Sequence, residues 1–86
     1  FIFNGLENSL ETLYLSSNMI ENIKIYYFKS LFKMKRLELA YNRISSIEVD
    51  SFKDLINLEI LDLRNNYLFK LRSNLFNTNQ ALRILN

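Results

Sequence analysis

The sequence predicts an α/β-type solenoid, in which short units stack so that their strands form a parallel sheet on the concave face. The segments LETLYLSSNMI, MKRLELAYNRI and LEILDLRNNYL follow one another at intervals of 24 residues, and such a period indicates stacked units. Each segment alternates apolar and polar residues, which is typical of a half-buried strand. With 49% apolar and 23% charged residues among 86, the chain has the composition of a folded domain.

The first half of each unit predicts a strand followed by a sharp turn. Leu13 and Leu15 alternate with polar residues, so both leucines are expected to face the core. Stacking would pair the strands of successive units in parallel, about 4.8 Å apart. Asn18, Asn42 and Asn66 follow the three strands, where their amides can satisfy backbone groups that a turn leaves unpaired.

The second half of each unit predicts the convex face. Phe28, Phe52 and Phe76 recur there and are expected to stack as an aromatic spine behind the sheet. Segments such as EVDSFKDLINL show no long helical period, so we expect irregular or short 3-10 helical pieces. Asn79 departs from the pattern, because it stands where the preceding unit has Leu55.

The pattern L-x-x-L-x-L-x-x-N-x-L, which begins at Leu10, Met34 and Leu58, resembles the leucine-rich repeat family. The 24-residue unit with Phe in its second half is similar to members found outside cells and on cell surfaces, which implies that localisation. The wording GLENSLETLYLSSN is similar to chaoptin-like adhesion proteins. The whole chain, 1–86, is interpreted as one leucine-rich repeat fragment. Its parts are the end of a preceding repeat (1–9), full repeats (10–33, 34–57 and 58–81) and the start of the next (82–86).

Members of this kind normally close both ends of the stack with cysteine-bearing caps, and the chain contains no cysteine. We therefore expect an internal stretch of a longer ectodomain. The alternative is a complete small protein whose ends pair with copies of itself, since open strand edges are templates for association.

Composition argues against catalysis and most ligand chemistry. The chain has no histidine, no cysteine and a single glycine, so it lacks the commonest general base, a thiolate metal site and a phosphate-binding loop. We expect no enzyme activity, no cofactor and no metal site. A net charge of +2 does not mark a nucleic-acid binder, and no apolar run is long enough to span a membrane.

Function in a stack is expected on the variable residues of the concave strands. The 24-residue step gives four rows: Thr12, Arg36, Ile60 and Ile84; Tyr14, Glu38, Asp62 and Asn86; Ser16, Ala40 and Arg64; Ser17, Tyr41 and Asn65. The residues predicted to bind a partner protein are Thr12, Tyr14, Arg36, Glu38, Tyr41, Ile60, Asp62 and Arg64.

Two carboxylates are predicted to lie side by side on this face. Glu38 and Asp62 would be neighbours on adjacent strands, about 5 Å apart, and would repel each other. Arg36 and Arg64, on the diagonals, are expected to neutralise them. The face then has the composition of a protein-binding surface, or it is an ordinary solvated face with self-paired charges. Two carboxylates alone are too few ligands for calcium.

Several large apolar residues fall outside the repeat pattern, namely Phe1, Ile25, Tyr26, Tyr27, Phe32, Ile56 and Phe69. They either contact another chain or fill the convex side. The expected function is therefore a protein-protein interaction module, with cell adhesion favoured. Its expected partner is another protein, possibly a second leucine-rich repeat protein or a copy of itself, and not a nucleic acid. The alternatives are a ligand-recognition segment of a Toll-like receptor ectodomain and a structural spacer.

Overall fold

The computed structural model describes residues 3–68, 71, 73–79 and 81–85. Within these residues the chain forms six short strands and one 3-10 helix, which are joined by turns. The strands are β1 (Thr12–Tyr14), β2 (Asn22–Ile23), β3 (Arg36–Glu38), β4 (Ser46–Ile47), β5 (Ile60–Asp62) and β6 (Arg83–Leu85), and the 3-10 helix is Ser73–Phe76.

Four of the strands form the parallel sheet that the repeat predicts, in the order β1-β3-β5-β6. The first three strands keep the 24-residue register, and their rows are Thr12–Arg36–Ile60, Leu13–Leu37–Leu61 and Tyr14–Glu38–Asp62. The leucine row points inward, and Leu37 and Leu61 are fully buried. Because successive residues of a strand point to opposite faces, the other two rows form the outer face of the sheet.

The last strand departs from the predicted register by one residue. Arg83 lies opposite Ile60, Ile84 lies opposite Leu61, and Leu85 lies opposite Asp62. The prediction that Ile84 continues the row of Ile60 is therefore wrong. Both Ile84 and Leu85 are apolar, so the pattern does not specify which of them faces the core, and a shift of one residue exchanges the two faces.

Behind the sheet, the phenylalanines stack as predicted. The ring centroids of Phe28 and Phe52 are 6.2 Å apart, and those of Phe52 and Phe76 are 5.8 Å apart. Phe3 extends the stack, with its ring 6.5 Å from that of Phe28. The chain segments around this spine are turns, apart from the 3-10 helix Ser73–Phe76. The predicted irregular and short 3-10 segments are thus confirmed.

A second sheet, which the sequence pattern does not predict, joins two successive units beyond the turns that follow β1 and β3. It consists of β2 and β4, with Asn22 beside Ser46 and Ile23 beside Ile47. The side chain of Ile23 is fully buried, and the Glu48 amide donates to the Ile23 carbonyl over 3.0 Å. These contacts bind one unit to the next at a second point.

An asparagine ladder connects successive units where they leave the main sheet. The Asn42 amide group donates to the carbonyls of Leu15 and Leu39, each at 3.0 Å, and its Oδ1 accepts the Ile20 amide at 3.1 Å. Asn66 repeats this arrangement one unit later, where its Oδ1 accepts the Ile44 amide at 2.9 Å. The predicted role of these asparagines is confirmed. Asn42 and Asn66 each pair with their own unit and with the unit before it, whereas Asn18 bonds to carbonyls of its own unit.

The polar residue that breaks the repeat has a structural role of the same kind. Asn79 is buried and donates to the carbonyl of Phe52 at 3.1 Å and to that of Leu55 at 2.7 Å. Its Oδ1 has no hydrogen-bond partner within the part of the chain that the structure describes. Asn79 therefore replaces the apolar contact of a leucine with two hydrogen bonds to the preceding unit.

Each unit also leaves its main strand through a residue with positive φ. Ser17, Tyr41 and Asn65 have φ of 61°, 56° and 59°. Asparagine tolerates this left-handed region, whereas the Cβ of most other residues crowds the following carbonyl there. Tyr41 is a bulky aromatic residue in this conformation, so the fold holds it there at a cost.

Candidate functional site

The outer face of the main sheet brings most of the predicted binding residues together. Tyr14 on β1 is 67% exposed, and Tyr41, just after β3, is 62% exposed. Thr12 and Arg36 are also exposed, and Ile60 between Arg36 and Arg83 is half-buried. The face thus presents the rings of Tyr14 and Tyr41 to solvent, with the half-buried Ile60 on the neighbouring strand β5.

The two carboxylates of this face each pair with an arginine. Asp62 is only 5% exposed. Arg64 donates to it through both Nε, at 3.0 Å to Oδ1, and a terminal nitrogen, at 2.9 Å to Oδ2. The backbone amide of Arg64 donates to the same Oδ1 at 3.1 Å. The hydrogen bonds from the Arg64 side chain hold the pKa of Asp62 below its ordinary value, because they favour the charged carboxylate.

The second ion pair lies on the neighbouring strand. The Arg36 Nε donates to the Glu38 Oε2, and this bond raises the pKa of the Arg36 guanidinium. The prediction that arginines on the diagonals neutralise the carboxylates is therefore corrected, because each arginine pairs with the acid two positions away along its own chain segment. In this geometry the arginine side chains are 44% and 57% exposed, whereas those of Glu38 and Asp62 are 21% and 7% exposed.

A tyrosine accompanies each ion pair. Tyr14 lies opposite Glu38, the ion-pair partner of Arg36, in the pairing of β1 with β3. The Tyr41 amide donates to the Arg64 carbonyl at 2.9 Å, which fixes the backbone of the two residues together. The face therefore carries two ion pairs, Arg36–Glu38 and Arg64–Asp62, and each has an exposed tyrosine on the preceding strand or the turn after it.

Other predicted positions contribute less to the outer face. Ala40 is buried, and the Ser16 hydroxyl accepts the Ala40 amide at 3.0 Å, so both serve the sheet itself. Asn86 lies outside the described residues, as do Phe1 and Phe69. Arg83, which the shifted register of β6 places next to Ile60, was not among the predicted residues. No signal in the repeat would have identified it, because the 24-residue step assigns that position to Ile84.

Little in the described residues points to small-molecule or metal chemistry. They contain no group of three or more carboxylate, histidine or cysteine side chains that could hold a metal ion. A cavity of about 520 Å³ lies at the β1 end of the stack, and core side chains such as Phe3, Leu15 and Phe28 line it. Among the residues described, no helix has the length and apolar character needed to cross a membrane.

Comparison with known proteins agrees with this architecture. A family model described as "Leucine rich repeat" matches residues 8–68. No curated protein matches the chain. Among solved structures, a crystal structure of a TLR13–ssRNA13 complex matches with a TM-score of 0.82 and 37% sequence identity, over 88% of this chain and 11% of that chain. This chain thus spans about one tenth of the TLR13 chain. Since the family model covers well over half of its residues, the chain belongs to the leucine-rich repeat family.

Proposed function

We propose that the chain is part of a non-catalytic, protein-binding module of an extracellular or cell-surface protein, and that the outer face of its main sheet contacts the partner. The observation that supports this most is the pair of exposed tyrosines, Tyr14 and Tyr41, whose backbones pair with the segments that carry the Arg36–Glu38 and Arg64–Asp62 ion pairs. Tyrosine and arginine are enriched among the residues that dominate protein-protein binding energies. The binding residues would be Thr12, Tyr14, Arg36, Glu38, Tyr41, Ile60, Asp62 and Arg64.

The similarity to TLR13 favours ligand recognition within a receptor ectodomain over the spacer alternative. Adhesion, which the sequence favoured, becomes the second candidate, and the exposure of Phe32 and Ile56, off the binding face, supports it. Because this chain covers only 11% of TLR13, both proposals concern the segment and not the activity of a whole receptor.

The charges on the face favour a protein partner over RNA, although the TLR13 structure is a complex with ssRNA13. Glu38 and Asp62 balance Arg36 and Arg64, so a phosphate backbone would meet as many acids as bases there. Binding to single-stranded nucleic acid normally relies on a continuous positive groove together with stacked bases. The tyrosines alone would supply only the stacking.

The test is a binding screen of the chain against an array of extracellular protein domains and a single-stranded RNA oligonucleotide. We expect a protein to bind, and the double variant Tyr14→Ala, Tyr41→Ala to weaken that binding by at least tenfold, as for central aromatic contacts. Tyr26→Ala is the matched control, since Tyr26 is an exposed tyrosine on the convex side, and it should leave binding unchanged. Binding that the double variant retains, or that only the RNA shows, would contradict the proposal.

A further inference from the structure

The residue that follows each asparagine of the ladder is large and exposed in three successive units. These residues are Met19, Arg43 and Tyr67, which the 24-residue step brings to equivalent positions. Met19 is 69% exposed and Tyr67 is 64% exposed, and Arg43 is also exposed. We call these three residues the flank row, because they lie beyond the turns that end the main strands.

Backbone hydrogen bonds between the units hold the flank row together. The Arg43 amide donates to the Ile20 carbonyl at 2.9 Å, and the Tyr67 amide donates to the Ile44 carbonyl at 2.9 Å. Asn42 and Ile44, on either side of Arg43, are buried, so the chain turns its neighbours inward and Arg43 outward. Segments bonded in this way lie about 4.8 Å apart, and the three side chains therefore share roughly 10 Å of surface.

The flank row has the composition of an interface centre. Methionine, arginine and tyrosine are all enriched in the part of a protein interface that becomes fully buried. Among the described residues, the four most exposed large apolar side chains are Met19 and Tyr67 of the row and Tyr14 and Tyr41 of the outer face. Only one residue separates Tyr41 from Arg43, so the row continues the outer face around the turn that follows β3.

The charge of the flank row indicates what a partner must supply. Arg43 forms no ion pair with any residue in the described ranges. A partner that covers the row removes this guanidinium from water, which costs free energy unless an acid pairs with it. The members on either side of Arg43 are apolar or aromatic. A matching segment therefore carries a carboxylate over Arg43 and apolar side chains over Met19 and Tyr67.

The same row disfavours two other occupants. A twofold axis through the centre of the row would place Arg43 opposite Arg43 of a second copy, and like charges in such a position repel. A single-stranded nucleic acid is normally bound in a continuous positive groove, whereas the flank row supplies one cation between two uncharged residues.

From this arrangement we propose that the flank row binds an acidic segment of the partner protein, in which one carboxylate lies between two apolar side chains. The class of partner, a protein, rests on the function proposed above, whereas the flank row adds a second contact surface. The row also confers specificity, because a segment with a basic central residue would repel Arg43 and one with a neutral residue would leave it unpaired.

The test uses a phage-displayed library of random peptides, which is selected on the chain, and the affinities of the synthesised binders. We expect binders with Asp or Glu flanked by apolar residues. Arg43→Glu should weaken their binding by about tenfold or more, and Met19→Ala and Tyr67→Ala by about fivefold or more each. Replacement of the central acid of the peptide by Lys should restore binding to Arg43→Glu, because both charges are then reversed.

Two variants serve as matched controls. Lys33→Glu changes the net charge by the same amount as Arg43→Glu, at an exposed position outside the flank row, and it should leave peptide binding unchanged. This control separates a local contact from a general attraction of acidic peptides to a chain of net charge +2. Tyr26→Ala is the control for Tyr67→Ala, since Tyr26 is an exposed tyrosine on the convex side. Circular dichroism of each variant checks that the fold is kept.

The double variant Tyr14→Ala, Tyr41→Ala separates the flank row from the outer face. Binding that the double variant loses and Arg43→Glu keeps would overturn the proposal for the flank row alone. Binding that Arg43→Glu loses and the double variant keeps would support the flank row and contradict the role of the outer face. A selection that yields no binders or no acidic ones, or a Lys33→Glu variant as impaired as Arg43→Glu, would also overturn the proposal for the flank row.

Discussion

The asparagine ladder allows a quantitative test within one protein, because Asn18 and Asn42 occupy equivalent positions with different surroundings. Asn42 is buried, and its Oδ1 is the acceptor of the Ile20 amide. Asn18 is exposed, and its amide group donates to the carbonyls of Leu15 and Ser16 at 2.9 and 3.3 Å. Replacement of each by alanine removes the same atoms from the chain.

The expected magnitudes follow from the groups that each substitution leaves unpaired. In Asn42→Ala the Ile20 amide loses its acceptor, which costs about 1–3 kcal/mol. The carbonyls of Leu15 and Leu39 each lose one of two donors, since Asn18 and Asn66 still bond to them, and each loss costs about 1 kcal/mol. The sum is about 3–5 kcal/mol. In Asn18→Ala the Leu15 carbonyl keeps its bond from Asn42, so the loss is about 1 kcal/mol or less.

Urea denaturation followed by circular dichroism measures these losses. With a slope of about 1 kcal/mol/M, the midpoint should fall by about 3–5 M for Asn42→Ala and by about 1 M or less for Asn18→Ala. Asn66→Ala should resemble Asn42→Ala, because it removes the acceptor of the Ile44 amide. Equal losses for Asn18→Ala and Asn42→Ala, within about 0.5 kcal/mol, would refute the reasoning, since burial and bonding would then not determine the cost.

Three further predictions concern the core, the turn and the ion pair. Phe52→Ala should lower the free energy of unfolding by about 3–5 kcal/mol, because Phe52 is fully buried between two rings. Phe32→Ala should lower it far less, because Phe32 is half exposed. Similar losses would mean that the phenylalanine spine is not a particular source of stability. Tyr41→Asn should raise the free energy of unfolding by about 0.5–1 kcal/mol, since asparagine tolerates the φ of 56° better than tyrosine does. A lower stability would mean that the contacts of the tyrosine ring stabilise the fold by more than the strained backbone destabilises it. The lowered pKa of Asp62 stabilises the folded state at pH values above 3.8, the ordinary pKa of an aspartate, and this stabilisation is lost as the pH falls through the folded-state pKa. In thermal melts between neutral and acid pH, both Asp62→Asn and Arg64→Gln should therefore lose less stability on acidification than the wild type. An unchanged pH dependence would argue against the Asp62–Arg64 ion pair.

The sequence predicts the fold correctly where a repeat unit packs between two neighbouring units. The rows through β1, β3 and β5 follow from the 24-residue step because Leu37 must face the core between Leu13 and Leu61. Strand β6 lacks such a constraint, since either Ile84 or Leu85 can face inward, and the structure has the register that the step does not give. The second sheet, β2 with β4, was missed because strands of two residues are too short to produce an alternating pattern.

The candidate site was predictable in membership but not in detail. Tyr14, Glu38 and Asp62 were placed in one row by counting residues, and the structure keeps them there. The bonds from Arg64 to Asp62 depend on how a long side chain folds back along its own backbone, which a residue pattern does not encode.

The asparagine ladder also has a consequence for how the chain opens. Asn42 bonds to the unit before it and shares the Leu39 carbonyl with Asn66 after it, so the middle unit is fastened on both sides. Amide hydrogen exchange should therefore be slowest around Leu37 to Ile44 and faster toward β1 and β6, because each opening event must release a neighbour first. Local unfolding would then proceed inward one unit at a time, and the middle unit would remain as the last protected segment.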